Sequence, residues 1–137
     1  MEKIEALSIY LGCEEDEILE GYDDCTFEYG RKEYLVCTDE EADKRCEEYI
    51  LDTLWAFNTS FIINYIDTRT DYDERSLYKC LVALQDLCED SNYLIKLLIG
   101  NRIDEFVSDA ISADGRGNYL NGWNGEEIEE SGYFIYR

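Results

Sequence analysis

Histidine and proline are absent from the 137-residue chain. Without histidine there is no Ser-His-Asp or Cys-His arrangement, and the commonest side-chain metal ligand is missing. Positive charge is scarce: 12 lysines and arginines stand against 33 aspartates and glutamates, for a net charge of −21 and a pI near 4.1. That balance argues against direct binding to DNA, RNA or an anionic membrane, where phosphate contacts need Lys and Arg. No run approaches the roughly 18 apolar residues of a membrane helix. The N-terminal MEKIEAL lacks the basic start and apolar run of a signal peptide, so a cytoplasmic protein is expected. No two cysteines fall at the C-x₂₋₄-C spacing of zinc sites. There is no P-loop, no G-x-G-x-x-G after a strand, no internal repeat and no low-complexity linker.

What is present suffices for a core. Apolar residues make up 45% of the chain and aromatics 14%, which excludes a disordered polyanion. The length predicts a single domain over 1–137. A charge of −21 destabilises a compact chain through self-repulsion, so it calls for a use or an offset. The six cysteines are Cys13, Cys25, Cys37, Cys46, Cys80 and Cys88. The apolar positions of Cys46, Cys80 and Cys88 predict buried thiols rather than disulfides.

The stretch Thr38–Phe57 organises the chain. Thr38 and Glu41 form a capping box, and Asp39, Glu40 and Glu41 favour the positive end of the helix dipole. Ala42, Cys46, Tyr49, Ile50, Leu54 and Phe57 recur at helical spacing, while Glu40–Lys44 and Glu41–Arg45 are acid-before-base pairs at i,i+4. Upstream, Glu2–Leu11 reads as a helix ended by Gly12, with a second short helix over Glu14–Leu19. The pair is a helical hairpin rather than a DNA reader, because EEDE at its second helix repels phosphate. Cys25–Cys37 reads as a hairpin turning at Gly30-Arg31-Lys32. Downstream, Phe61–Ile66 reads as a helix or a strand, Asp67–Asp73 as a polar loop, and Glu74–Ile99 as a long helix with a break near Asp90. Another helix carries Ile103, Phe106, Val107, Ala110 and Ile111. In the tail, Tyr119-Leu120 and Tyr133–Tyr136 read as strands of a second hairpin. The expected fold is α+β: helices packed on a small antiparallel sheet formed by the N-terminal and C-terminal hairpins.

Chemistry is hard to find. Asp114–Asn118 suggests a calcium loop, but Arg116 and Tyr119 occupy positions 3 and 6, where a carboxylate or amide and a glycine belong. Carboxylate pairs for glycosidase chemistry carry no information among so many acids. No catalytic residue, no metal ligand and no cofactor is assigned, and the expectation is a protein that is not an enzyme.

The acidic clusters remain. Carboxylates spaced along an ordered surface can imitate duplex phosphates, whose charges fall about every 1.7 Å of axis, and occupy a basic channel on another protein. The candidate contacts are Glu14, Glu15, Asp16 and Glu17, then Glu40, Asp43 and Glu47, then Glu126, Glu127, Glu129 and Glu130.

At Tyr34–Asp43, Leu54–Asn58, Ala113–Leu120 and Gly132–Arg137 the chain resembles small acidic proteins encoded by bacteriophages and other mobile elements. The resemblance spans roughly Glu33 to the C-terminus and carries over no catalytic residue. It implies an inhibitor of host defence, of the anti-CRISPR or anti-restriction kind, working in the host bacterial cytoplasm. The expected partner is a basic nucleic-acid-binding protein of the host, such as a CRISPR effector. A second reading is a phage accessory or structural protein whose acidity only keeps it soluble. A third is a small enzyme using carboxylates with a divalent metal.

Overall fold

The computed structural model describes residues 1–66 and 73–137. The fold is α+β, and the chain divides into two compact units: Met1–Cys46 with Asp114–Arg137, and Glu47–Ala113.

The first unit is built on a five-stranded antiparallel sheet of β1 (Leu19–Glu20), β2 (Thr26–Tyr29), β3 (Lys32–Cys37), β4 (Ile128–Glu130) and β5 (Tyr133–Tyr136), in the order β1-β2-β3-β5-β4. β2 (Thr26–Tyr29) and β3 (Lys32–Cys37) form the expected N-terminal hairpin, but Lys32 pairs with Tyr29 and belongs to the strand. Only Gly30 and Arg31 make the turn, both in the left-handed region (φ 58° and 65°), the geometry that matches the twist of flanking strands. β4 (Ile128–Glu130) and β5 (Tyr133–Tyr136) form the C-terminal hairpin across Ser131 and Gly132 (φ 54° and 83°). β3 joins β5 through Leu35–Tyr136, Val36–Ile135 and Cys37–Phe134, which closes the two hairpins into one sheet.

The first strand of that second hairpin corrects the sequence reading. Tyr119-Leu120 ends a short helix, α7 (Arg116–Leu120), and the acidic stretch supplies the strand instead. Ile128 packs beside the cluster that contains Ile135, while Glu129, next along the edge strand, stays in solvent. An edge position tolerates glutamates that a central strand would not.

One sheet face buries Phe27, Tyr34, Val36 and Ile135 with Ile18 and with Leu7 of α1 (Lys3–Leu11), which Gly12 ends at φ 68°. The other face buries Cys25, Cys37 and Tyr136 with Ala42 of α2 (Asp39–Asp52). The second helix expected over Glu14–Leu19 is only a 3-10 turn, Glu15–Glu17, followed by β1 (Leu19–Glu20). Four successive acids offer no apolar stripe, and Ile18 alone is buried there.

The capping box of α2 forms as read: Glu41 N–H donates to Thr38 Oγ1 (3.2 Å), and Thr38 N–H donates to Glu41 Oε1 (2.9 Å). The helix stops at Asp52, short of Phe57, and a 3-10 turn over Leu54–Ala56 follows. Asn92 explains the stop. Its amide donates to Asp52 O (2.5 Å) and accepts from Trp55 N–H (3.0 Å), taking groups that a continuing helix would pair internally. Tyr49, read as core, is exposed.

The second unit is helical: α3 (Thr59–Ile63), α4 (Glu74–Gln85), α5 (Asn92–Ile99) and α6 (Ile103–Asp114), whose last residue belongs to the first unit. Phe57, Phe61, Tyr65 and Phe106 pack ring against ring at 5.0–6.3 Å. Gln85 is buried and fully used, donating to Leu54 O and Phe57 O and accepting from Thr59. The long helix read over Glu74–Ile99 is interrupted between Gln85 and Asn92, where Cys88 has φ 56°. Within α4 the expected face holds, with Leu81 buried and Leu77 and Leu84 half-buried, and Cys80 stands off that face in solvent; beyond the break Leu87 and Cys88 are exposed. Cys80 and Cys88 are therefore not core thiols. Cys25, Cys37 and Cys46 are buried. Of the loop read over 67–73, residues 67–72 lie outside the described residues, and Asp73 caps α4 by accepting from Arg75 N–H. Among the described residues, no helix is long and apolar enough to cross a membrane.

Candidate partner-binding surface

Three elements carry the predicted contacts. Glu14–Glu17 wrap the 3-10 turn before β1, all exposed. Glu17 Oε2 accepts from Glu14 N–H (2.9 Å), so this pair has a local task in holding the turn. Glu40, Asp43 and Glu47 recur at i, i+3, i+7 on α2 and share one exposed helix face. Glu126 and Glu127 lead into β4, and Glu129 and Glu130 lie on it.

Arg116 divides these acids into two kinds. It sits at the start of α7 with a side chain only 11% exposed, over the ring of Phe134 at 4.5 Å. Its guanidinium grips Glu127 with two bonds (Nε to Oε2, 2.8 Å; Nη2 to Oε1, 3.2 Å). Nη1 reaches Asp39 Oδ1 (2.8 Å), Asp39 O (3.1 Å) and Asp43 Oδ1 (3.1 Å). The bond to Glu127 raises the arginine's pKa further above its ordinary value. Tyr136, buried beneath, donates its hydroxyl to Glu127, and burial followed by that bond pushes the phenol up. Glu127 is thus part of the fold, and Asp43 is shared with it. Among the described residues, no cation pairs with Glu15, Asp16, Glu40, Glu47, Glu126, Glu129 or Glu130.

The i,i+4 pair read between Glu41 and Arg45 is replaced by two long-range pairs. Glu41 Oε2 accepts from Lys3 Nζ (2.8 Å) and from the Cys25 thiol (3.1 Å). Arg45 Nη2 donates to Asp23 Oδ2 (2.7 Å), and Asp23 Oδ1 accepts from Cys25 N–H, Thr26 N–H and the Thr26 hydroxyl. These bonds tie α1, α2 and the entry to β2. The Arg45 bond holds Asp23 at about 2. Burial works against Glu41, but the bonds from Lys3 and Thr38 outweigh it and hold it at about 2 as well. Burial, reinforced by Cys25, pushes the Cys37 thiol up to about 12, and burial does the same for Cys46. Both stay thiols at neutral pH, so neither is a poised nucleophile.

The two depressed carboxyls set an acid limit. Their folded pKa values lie below the ordinary 3.8 and 4.5, so their stabilisation is complete above about pH 5 and is lost as pH falls toward 2. Each contributes roughly 1–2 kcal/mol after discounting for partial exposure. Relief of the whole-chain repulsion acts in the opposite direction, so stability is expected to pass through a maximum below neutral pH before falling. Urea melts from about pH 7 to 3 check this. The double variant Asp23→Asn, Glu41→Gln is expected to lose most of the decline below pH 5, and an unchanged profile would remove these two pairs as its cause.

Sequence reasoning missed one site. Tyr10, Tyr34, Trp123 and Arg137 line a cavity of about 220 Å³ within the first unit. They come from α1, β3, the loop after α7 and the residue after β5, so no local spacing announces them. Among the described residues, no three His, Cys, Asp or Glu side chains converge to hold a metal. Comparison with known protein families, curated proteins and solved structures returns no match for the chain.

Proposed function

We propose that the protein is a non-enzymatic inhibitor of the bacteriophage type, acting in the host cytoplasm on a basic nucleic-acid-binding protein such as a CRISPR effector. It would occupy the partner's nucleic-acid channel with an acidic surface. The observation that carries this reading is a net charge of −21 displayed on ordered elements, with Arg116, Arg45 and Lys3 already committed to internal carboxylates. Glu40 and Glu47 stand on a helix, Glu15 and Asp16 on a hydrogen-bonded turn, and Glu129 and Glu130 on a strand. Carboxylates held by secondary structure keep a fixed spacing, which imitation of a phosphate backbone requires and which solubility alone does not.

The test is capture of the partner from host lysate, followed by a binding series over salt. The informative variant is Glu126→Gln, Glu129→Gln, Glu130→Gln with Glu127 left intact, because Glu127 belongs to the Arg116 site. Affinity is expected to fall by about tenfold or more from 0.1 to 0.5 M salt, chiefly through the on-rate. The triple variant is expected to bind about tenfold more weakly with an unchanged melting curve, since exposed substitutions usually cost within about 0.5 kcal/mol each. Affinity that is flat with salt and equal in the variant would leave acidity as a solubility device.

A further inference from the structure

The cavity between α1, the sheet and the loop after α7 has the properties of a ligand site. Tyr34 is 7% exposed and lines it, yet its hydroxyl has no hydrogen-bond partner among the described residues. Among the described residues no side-chain oxygen or nitrogen sealed from solvent is left unpaired, so this hydroxyl is reached by solvent, and the cavity is the space that Tyr34 lines. A buried phenol usually finds a partner, and here the space in front of it is where a partner would sit. Arg137 is the second group. In a chain with 33 acids it forms no ion pair among the described residues, and its guanidinium lies 3.9 Å over the ring of Trp123. Both groups line the cavity, and the Arg137 charge opposes the rise that burial imposes on the Tyr34 phenol.

The lining is part apolar and part polar, and the loop at its rim is tied down. Ile128 and Ile135 floor the cavity, and Tyr10 and Trp123 flank it. Asn121, 7% exposed, holds the loop: its amide donates to Glu126 O (2.8 Å) and accepts from Trp123 N–H (2.9 Å) and Asn124 N–H (3.0 Å). A volume of about 220 Å³ is below the 300–1,000 Å³ of drug-sized sites, so the occupant has on the order of ten non-hydrogen atoms.

We propose that this cavity binds a small organic monoanion with a flat apolar body, an aromatic carboxylate. Its carboxylate would accept from Arg137 and from the Tyr34 hydroxyl, and its ring would lie beside Tyr10 over the isoleucine floor. A cation is disfavoured although the walls are aromatic, because the guanidinium already covers the Trp123 face. Inorganic phosphate is disfavoured because it would leave the apolar floor uncovered and meet one cation with the Glu126 carboxylate nearby. The site is independent of the partner proposed above, since it is read in the isolated protein with a small probe.

The probe is 3-phenylpropionate, followed by two-dimensional NMR of the Trp123 indole N–H and the Asn121 amide. Saturable shifts are expected with the carboxylate, with at least tenfold weaker binding of 3-phenylpropionamide and no saturable shift with inorganic phosphate. Arg137→Gln is expected to weaken binding about tenfold or more and Tyr34→Phe about fivefold, since bonds to a charged group are the stronger kind. Tyr34→Phe should also melt as the parent protein does, because its hydroxyl holds nothing in the empty site. No saturable shift up to about 20 mM, equal binding of the amide or of phosphate, or undiminished binding in both variants would overturn the proposal.

Discussion

Gly117→Ala is expected to destabilise the first unit by about 3 kcal/mol, at the upper end of overpacking costs. A β-carbon at Gly117 would stand 2.2 Å from Gly125 O and 2.9 Å from the carbonyl carbons of Gly125 and Glu126. All three are backbone atoms, so no side chain can turn aside. The backbone there is pinned as well: Glu126 O accepts from the Asn121 amide, Glu126 N–H donates to Asn124 Oδ1, and the next residue is held by Arg116. The measurement is a urea melt followed by Trp123 emission in a Trp55→Phe background, which silences the second unit. Gly122→Ala is the control, since a β-carbon there meets nothing within 4 Å and its cost should stay within about 0.5 kcal/mol. A Gly117→Ala midpoint equal to that of the control would mean that α7 shifts freely against the 125–126 segment.

Arg116→Met should cost a similar amount, about 3 kcal/mol. Removing one partner of a buried ion pair costs roughly 3–5 kcal/mol, because the remaining charge is left uncompensated. The low end applies here, since Asp39 and Asp43 are 71% and 59% exposed and water screens them, whereas Glu127 is 29% exposed and loses both of its arginine bonds. The stacking over Phe134 is lost too. Arg116→Lys should recover less than half, because an ammonium restores charge but not the two-point grip on Glu127. The double variant Arg116→Met, Glu127→Gln separates the causes. If an orphaned carboxylate is the main penalty, it will be more stable than Arg116→Met alone. Equal stability of the two would assign the loss to packing under α7.

The candidate contacts were legible only as clusters. Charge runs are visible in the chain, but whether a given carboxylate is free depends on which cation reaches it. Glu126 and Glu127 are adjacent and alike in sequence, yet one is exposed and unpaired among the described residues while the other holds Arg116 and Tyr136. The same distance dependence hid the i,i+4 error. Arg45 could reach Glu41 on its own helix, but Asp23 and Lys3 offered better-enclosed partners from elsewhere in the first unit.

Local signals determined what was local. Thr38 with Glu41 started α2, Gly12 ended α1, Gly30 turned the first hairpin, and the 3,4 spacing of Phe106, Val107 and Ala110 placed the buried face of α6. In each case the energy lies within one or two turns of chain, in caps, left-handed positions and amphipathic period. The composition likewise settled the charge. The tertiary structure alone decided that α2 yields to Asn92 at Asp52, that Ile128 draws an acidic stretch into the sheet edge, and that Cys80 and Cys88 stand in solvent. It also brought Tyr34, Trp123 and Arg137 around one cavity. Those outcomes turn on burial and hydrogen bonds between residues tens of positions apart, whose energies exceed the local preferences they override and leave no periodicity in the chain to read.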